Sequence, residues 1–259
     1  MTQLLTLLEK EIVEMARNFK LIWVPISFIL LGVIDPLTTY YMPQILDSVG
    51  GLPEGAVIEI PVPSAAEVLI TSMGEYQTIG VLIIALSLMG TIAGERKSGV
   101  AQLILVKPVS YFSYITSKWI SGLILFIFSL FLGLMASWYY TGILFEFIPI
   151  ADFLAAAMIY ALWLALVVTV VIFFSALIRQ QGAAAAISIA TVLIWSLIGG
   201  SFSHLLEWSP TQLFDYASNL LMTGRIPQNT LPATFLTAGI IVLLLVLAVM
   251  VLRQQELAD

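Results

Sequence analysis

The chain has 259 residues, of which 60% are apolar and only 10% are charged, and its mean hydropathy is +1.04. These values exclude a soluble globular domain, and the few basic residues at a net charge of −6 give no case for nucleic-acid binding. The sequence contains no cysteine, which excludes disulfides, thiol catalysis and cysteine-ligated metals.

Six apolar stretches reach or approach the roughly 20 residues that a helix needs to cross the hydrocarbon core of a bilayer. They predict an all-α polytopic membrane protein with a single transmembrane domain over residues 1–259. The predicted spans are residues 21–40, 76–93, 120–140, 153–177, 182–199 and 233–252.

The N-terminal segment, residues 2–19, predicts an amphipathic helix. Glu9, Glu11 and Glu14 interrupt the place where a cleavable signal peptide would have its apolar core. Apolar side chains recur three and four residues apart at Leu5, Leu8, Ile12, Met15 and Phe19. A helix lying flat on the membrane surface accounts for this periodicity.

The first span is expected to end at Asp35-Pro36, with the aspartate near the far surface of the membrane. Residues 41–75 hold several prolines and acidic residues but no lysine or arginine, which indicates an external loop. A short helix is expected within this loop at residues 65–73.

The stretch of residues 94–118, between the second and third spans, predicts a short helix of residues 100–107. Ser98 is the expected N-cap, Pro108 ends the helix, and Ser110 caps the helix that follows. We expect Glu95 and Arg96 to be exposed where the second span leaves the membrane. Pattern and charge leave two interpretations open: an ordinary interfacial loop, or a rigid lever between a soluble partner and the spans.

The fifth span carries Gly182, Ala186 and Ala190 at every fourth position, a pattern of small residues that lets helices approach closely. Packing within the chain, a subunit interface and a pathway wall all remain open. Beyond this span, residues 201–206 and 210–222 are expected to form two short amphipathic helices, broken at Ser209-Pro210.

Basic residues predict the orientation, because short cytoplasmic loops are enriched in lysine and arginine. With the N-terminus in the cytoplasm, the outer segments contain only Arg225, and an even number of spans places both termini inside. The nine basic residues of the inner segments are Lys10, Arg17, Lys20, Arg96, Lys97, Lys107, Lys118, Arg179 and Arg253.

Thiol labelling tests this orientation, since the native chain has no cysteine to confuse the result. Single cysteines at Ser64 and Thr211 are expected to react with an impermeant reagent from outside, and cysteines at Gln102 and Gln181 are not. Labelling of Gln102 from outside would reverse the predicted orientation.

Catalytic motifs are missing from the sequence. His204 is the one histidine, and Ser201 or Ser203 so close to it on a connector does not make a nucleophile and base pair. One histidine and no cysteine leave no zinc constellation, and there is no phosphate-binding P-loop. We therefore predict no enzyme activity, no metal site and no cofactor in this chain, so any ATP-driven step needs another polypeptide.

Two further classes fit a membrane protein of this kind. A secondary transporter would usually place ionisable residues in the middle of the membrane. In the predicted spans, Asp35 is the only candidate for such a residue. A membrane scaffold or sensor subunit would recognise something through its external loops and report it through the inner helix.

One known family shares the pattern of the stretch between the second and third spans. Its residues resemble those of the permease subunits of type-2 ABC exporters, in which a glutamate and a glycine precede an apolar run, a proline and a lysine. The residues that carry this resemblance here are Glu95, Arg96, Lys97, Ser98, Gly99, Lys107, Pro108 and Lys118.

The resemblance implies a permease that forms the translocation pathway as a dimer, with a second copy or a similar chain. A separate ABC ATPase would bind ATP and Mg²⁺, and the helix after Gly99 would couple it to the spans. The resemblance also implies that the N-terminal helix is a connector that touches this partner, that the fifth span lies at the dimer centre, and that short re-entrant helices precede the sixth. The expected location is the cell membrane of a bacterium or archaeon.

Overall fold

The structure is a computed structural model that describes residues 2–49, 63–106 and 109–258. These residues form helices joined by short connections, and none of them lies in a β-strand. Six of the helices in these ranges are long and apolar enough to cross a membrane. The all-α class and the six spans predicted from the sequence are therefore confirmed for this part of the chain. The protein is a multi-pass transmembrane protein.

The helices are named here by their place in the chain. The N-terminal helix is Thr2–Arg17, the loop helix between spans 2 and 3 is Val100–Leu105, and the helix between spans 5 and 6 is Gln212–Thr223. The spans, numbered 1 to 6, are Lys20–Val49, Ala65–Lys97, Tyr111–Leu144, Ile150–Leu177, Gln181–Ser201 and Thr230–Ala258.

Span 1 continues well beyond Asp35-Pro36, where the sequence predicted its end. Its helix contains Pro36 and Pro43 and ends at Val49. A proline removes one backbone hydrogen bond, whereas ending the helix inside an apolar layer would leave several backbone groups without partners. The longer helix is therefore the less costly arrangement, and the prediction that Pro36 ends the span is wrong.

Span 2 is built in sections. The short helix expected at residues 65–73 is present, but it runs directly into the span. Ser64 and Glu67 start it with a capping box, in which Ser64 Oγ accepts from Glu67 N–H at 3.3 Å and Glu67 Oε2 accepts from Ser64 N–H at 2.7 Å. A π-helical segment follows at Tyr76–Gly80, and the helix is interrupted once more at Met89.

The connection between spans 5 and 6 contains one helix where two were predicted. Residues 202–211 form turns and bends, so the helix expected at residues 201–206 is wrong, and the second helix is Gln212–Thr223. The turns bring the chain back onto span 5, where Gln212 Nε2 donates a 3.0 Å hydrogen bond to Gly199 O. Thr211 is buried in this contact, so of the two positions predicted to lie outside, the exposed Ser64 is the one suited to thiol labelling.

Span 4 is the centre of the bundle. It packs against spans 2, 3, 5 and 6 and against the helix Gln212–Thr223. Its sequence is almost purely apolar, and a helix that is apolar on every side is typically buried. Tyr160 and Trp163 are among the largest fully buried side chains.

Spans 1 and 3 cross at Gly32 and Gly133 with their backbones in contact. A Cβ atom on Gly32 would lie 2.2 Å from Gly133 O, and one on Gly133 would lie 2.5 Å from Phe28 O. Tyr76 of span 2 completes the contact, because its hydroxyl donates a 2.8 Å hydrogen bond to Phe28 O. Only residues without a side chain permit this approach.

Candidate functional site: a buried ion network

The face of the N-terminal helix that packs against the bundle carries a negatively charged side chain. The helix packs against spans 1 and 3, and Glu11 and Met15, one turn apart, are buried. Leu5 and Ile12, which the sequence placed on the same apolar face as Met15, are exposed. A buried carboxylate requires a partner, because desolvation of an unpaired charge is costly.

Lys118 of span 3 provides this partner and joins two elements. Its side chain is 1% exposed, and Nζ lies 2.8 Å from Glu11 Oε1 and 2.9 Å from Glu95 Oε2. One ammonium group therefore holds the N-terminal helix and the end of span 2 against span 3. In such surroundings the attraction is strong, and each charge is costly to leave without its partner.

Lys10 completes an ion network with Glu11, Glu14, Glu95 and Lys118, and it lies on the more exposed side of this network. Its Nζ lies 2.9 Å from Glu11 Oε1 and 2.8 Å from Glu14 Oε2, and it also contacts Glu95 Oε1. Burial by itself lowers the pKa of Lys10, but hydrogen bonds to Glu14 and Glu95 and the charge of Glu11 outweigh it and raise the pKa above the usual value. Lys10 therefore remains a cation among three carboxylates.

Glu95 is the residue on which these contacts meet. Tyr114 donates a 2.5 Å hydrogen bond from its hydroxyl to Glu95 Oε2, and Lys118 Nζ lies 4.9 Å from the centroid of the Tyr114 ring. Glu95 is only 7% exposed, so the prediction that it lies on the surface is wrong. Its carboxylate oxygens form ion pairs and a hydrogen bond with side chains of the N-terminal helix and span 3.

Arg96 is also buried, at 9% exposure, and not on the surface as predicted. Its Nη1 donates to Ala176 O at 2.9 Å and to Gln255 Oε1 at 2.6 Å, and Gln255 Nε2 donates to Leu177 O at 3.2 Å. A cation suits the carbonyl groups at the C-terminal end of span 4. Glu95 and Arg96 thus link the end of span 2 to the N-terminal helix and to spans 3, 4 and 6 at this charged end of the bundle.

The remainder of the predicted coupling stretch is nearer the surface. Lys97 and Ser98 are exposed, and Ser98 closes span 2 and is not the N-cap of the loop helix. Gly99 takes that position with φ of 79°, a left-handed conformation that glycine adopts without steric cost. The loop helix is shorter than the predicted residues 100–107. Lys107 and Pro108 lie outside the described residues.

The small residues of span 5 face away from the bundle. Gly182, Ala186 and Ala190 are exposed, and a Cβ atom on Gly182 would meet no other atom within 4 Å. Ala184 and Ser188, on the other side of the helix, are buried. Among the described residues, packing within the chain therefore uses the opposite side of span 5.

The carboxylates of Glu11, Glu14 and Glu95 also have the spacing of a metal site, since one oxygen of each lies within 4.8 Å of the others. Lys10 contacts all three of these carboxylates, and Lys118 contacts Glu11 and Glu95. The two ammonium groups supply positive charge where a metal would lie. The arrangement acts chemically as an electrostatic link between helices.

The sequence drew attention to Glu95, Arg96 and Lys118 but missed the role of Glu11 and Tyr114. A local signal for Glu11 exists, because it lies four residues before Met15 and so shares its side of the helix. An acidic residue at such a position indicates a buried partner. Nothing local identifies that partner, since Lys118 is 107 residues away.

The chain is similar in sequence to a known transmembrane protein. The chain is 36% identical over 225 residues to the uncharacterized transmembrane protein YxlG of Bacillus subtilis (strain 168), and the match covers 87% of each chain. No model of a known protein family matches the sequence.

Proposed function

Because the chain belongs to the family of the Bacillus subtilis transmembrane protein YxlG, whose activity is uncharacterized, we propose a function from the residues themselves. The chain is the permease subunit of an ATP-driven exporter of the type-2 ABC class. It forms the translocation pathway as a dimer and works with a separate ATPase that binds ATP and Mg²⁺.

The observation that carries this proposal is the buried ion network. Glu95 and Lys118 belong to the stretch that resembles the exporter permeases, and both pair with the N-terminal helix. A force applied to the N-terminal helix or to the segment before Gly99 would reach spans 2 and 3 through charges that are costly to separate. This is the property that a coupling device between a soluble ATPase and a membrane pathway needs.

The surface next to the network suits a soluble partner. The loop helix exposes Gln102 and Leu103, and the N-terminal helix exposes Glu9 and Arg17. These side chains are close in sequence to residues of the buried network on both elements, so a partner that binds them would act on the network. In our proposal the ATPase binds here, which places the charged end of the bundle and both termini in the cytoplasm of a bacterial or archaeal cell.

The outward-facing small residues of span 5 support the dimer. Close packing of helices in a membrane depends on small residues, and Gly182, Ala186 and Ala190 leave such a surface open on the single chain. The partner in our proposal is a second copy or a similar permease.

Purification of the complex tests both parts of the proposal. The chain, purified from its native cells in mild detergent, is expected to bring a P-loop ATPase with it, in a complex whose mass corresponds to two permeases and two ATPases. Ala186→Phe is expected to reduce the mass to one permease, because the larger side chain separates the two helices. Ile124→Phe, at an exposed position of span 3, is the matched control and should leave the mass unchanged.

A secondary transporter is the second candidate, and Asp35 is the observation that favours it. This carboxylate lies within the helix of span 1, and its Oδ2 has no hydrogen-bond partner among the described residues. Ionisable groups inside transmembrane helices commonly mark ion pathways. A chain that purifies without an ATPase, and that moves protons in vesicles until Asp35 is replaced by asparagine, would establish this candidate in place of the exporter.

A further inference from the structure

Span 2 is interrupted at Met89 by a side chain from span 4. The helix ends at Leu88 and begins again at Gly90. The hydroxyl of Ser175 donates to Met89 O at 2.9 Å and accepts from Ile92 N–H at 3.2 Å and Ala93 N–H at 3.1 Å. An inserted side chain of this kind is a recognised cause of helix kinks.

A second side chain bonds to the same part of the backbone. Lys20, at the start of span 1, donates a 2.7 Å hydrogen bond from Nζ to Ser87 O. Gln181 of span 5 lies against the segment beyond the interruption, where a Cβ atom on Gly94 would be 2.5 Å from its Nε2. The interruption is therefore surrounded by polar side chains of spans 1, 4 and 5.

The hydrogen bond of the Ile92 N–H group at this point has two possible arrangements. In the present one, Ile92 N–H donates to Ser175 Oγ. In an unbroken α-helix the same group would donate to Leu88 O, four residues earlier, without help from another span. Elements with two such arrangements can serve as switches, because each arrangement is well defined and the exchange costs few hydrogen bonds.

We propose that Met89 is a hinge in span 2 and that the Ser175 hydroxyl holds the segment Gly90–Lys97 at its present angle. This segment carries Glu95 and Arg96, so a change of angle moves the ion network relative to the membrane-embedded part of span 2. The role that we assign to this hinge rests on the proposed coupling function. The hinge itself is a property of the single chain.

Distance measurements between spin labels test the hinge on the purified full chain in lipid nanodiscs without any ATPase. Labels are placed on cysteines at the exposed positions Lys97, at the end of the segment, and Gln180, in the connection between spans 4 and 5, so that their distance reports sideways movement of the segment. Ser175→Ala is expected to shift or broaden this distance distribution by up to about 4 Å, since a bend of about 20° moves the end of an arm of about 12 Å sideways by about 4 Å.

Ser188→Ala is the matched control, because Ser188 is also buried but its hydroxyl donates only to Ala184 O within its own helix. An unchanged distribution in Ser175→Ala overturns the proposal, and so does an equal change in both variants. If Ser175→Ala does not accumulate, Lys20→Met replaces it. That variant removes the other inserted group, so an unchanged distribution would likewise overturn the hinge. The result is independent of whether an ATPase binds.

Discussion

Replacement of Lys118 by methionine is expected to lower the free energy of unfolding by about 3–5 kcal/mol, the typical cost of removing one partner of a buried ion pair. Among the described residues, the variant leaves the buried Glu11 and Glu95 with the more exposed Lys10 as their cationic partner, while Glu95 keeps its hydrogen bond from Tyr114. Chemical unfolding in detergent, followed by tryptophan fluorescence, measures the loss. The N-terminal helix should also become accessible to proteolysis, because Lys118 is its buried anchor.

Lys97→Met is the control, since Lys97 is close in sequence to Glu95 but exposed, and it is expected to change stability little. The double variant Glu11→Gln with Lys118→Met should be less destabilised than the sum of the two single variants, because the paired charges are removed together. If Lys118→Met is as stable as Lys97→Met, the network does not hold the helices together.

The spans are the part of this fold that sequence predicts well. Long apolar runs that meet the thickness of a bilayer can be counted without knowing their neighbours, as the central span Ile150–Leu177 illustrates. The residues at which helices end are harder to predict from sequence. The prediction failed at Pro36 because a proline inside a helix removes one backbone hydrogen bond, whereas a helix end inside an apolar layer leaves several backbone groups without partners.

The candidate site was predictable only in part, because its residues come together through tertiary structure. Glu95 and Lys118 were identified from their stretch, but Glu95 was expected on the surface, since a charge at the end of a span is ordinarily solvated. The N-terminal helix covers this end and brings Glu11 and Lys10 into the contact. Local periodicity shows that Glu11 is on a buried side, but it contains no information on which span lies opposite.

The second large effect is expected at the crossing of spans 1 and 3, from Gly133→Ala. The added Cβ atom would lie 2.3 Å from the Tyr76 hydroxyl oxygen, 2.5 Å from Phe28 O and 2.9 Å from Phe28 C. Two of these atoms belong to the backbone of span 1 and cannot rotate away, so the helices must separate. Overpacking of this kind costs typically about 1–3 kcal/mol and occasionally more, which unfolding in detergent would detect.

Two comparisons separate a backbone clash from other effects of the alanine. Gly239→Ala, in span 6, adds the same methyl group where no atom lies within 4 Å, and it should be neutral or slightly stabilising because alanine favours helices. Tyr76→Phe combined with Gly133→Ala removes the hydroxyl contact but leaves the one with Phe28 O, so stability should recover only in part. Full recovery in the double variant would mean that the Tyr76 side chain, and not contact between the two backbones, requires glycine at position 133. Equal stability of Gly133→Ala and Gly239→Ala would mean that spans 1 and 3 do not approach this closely.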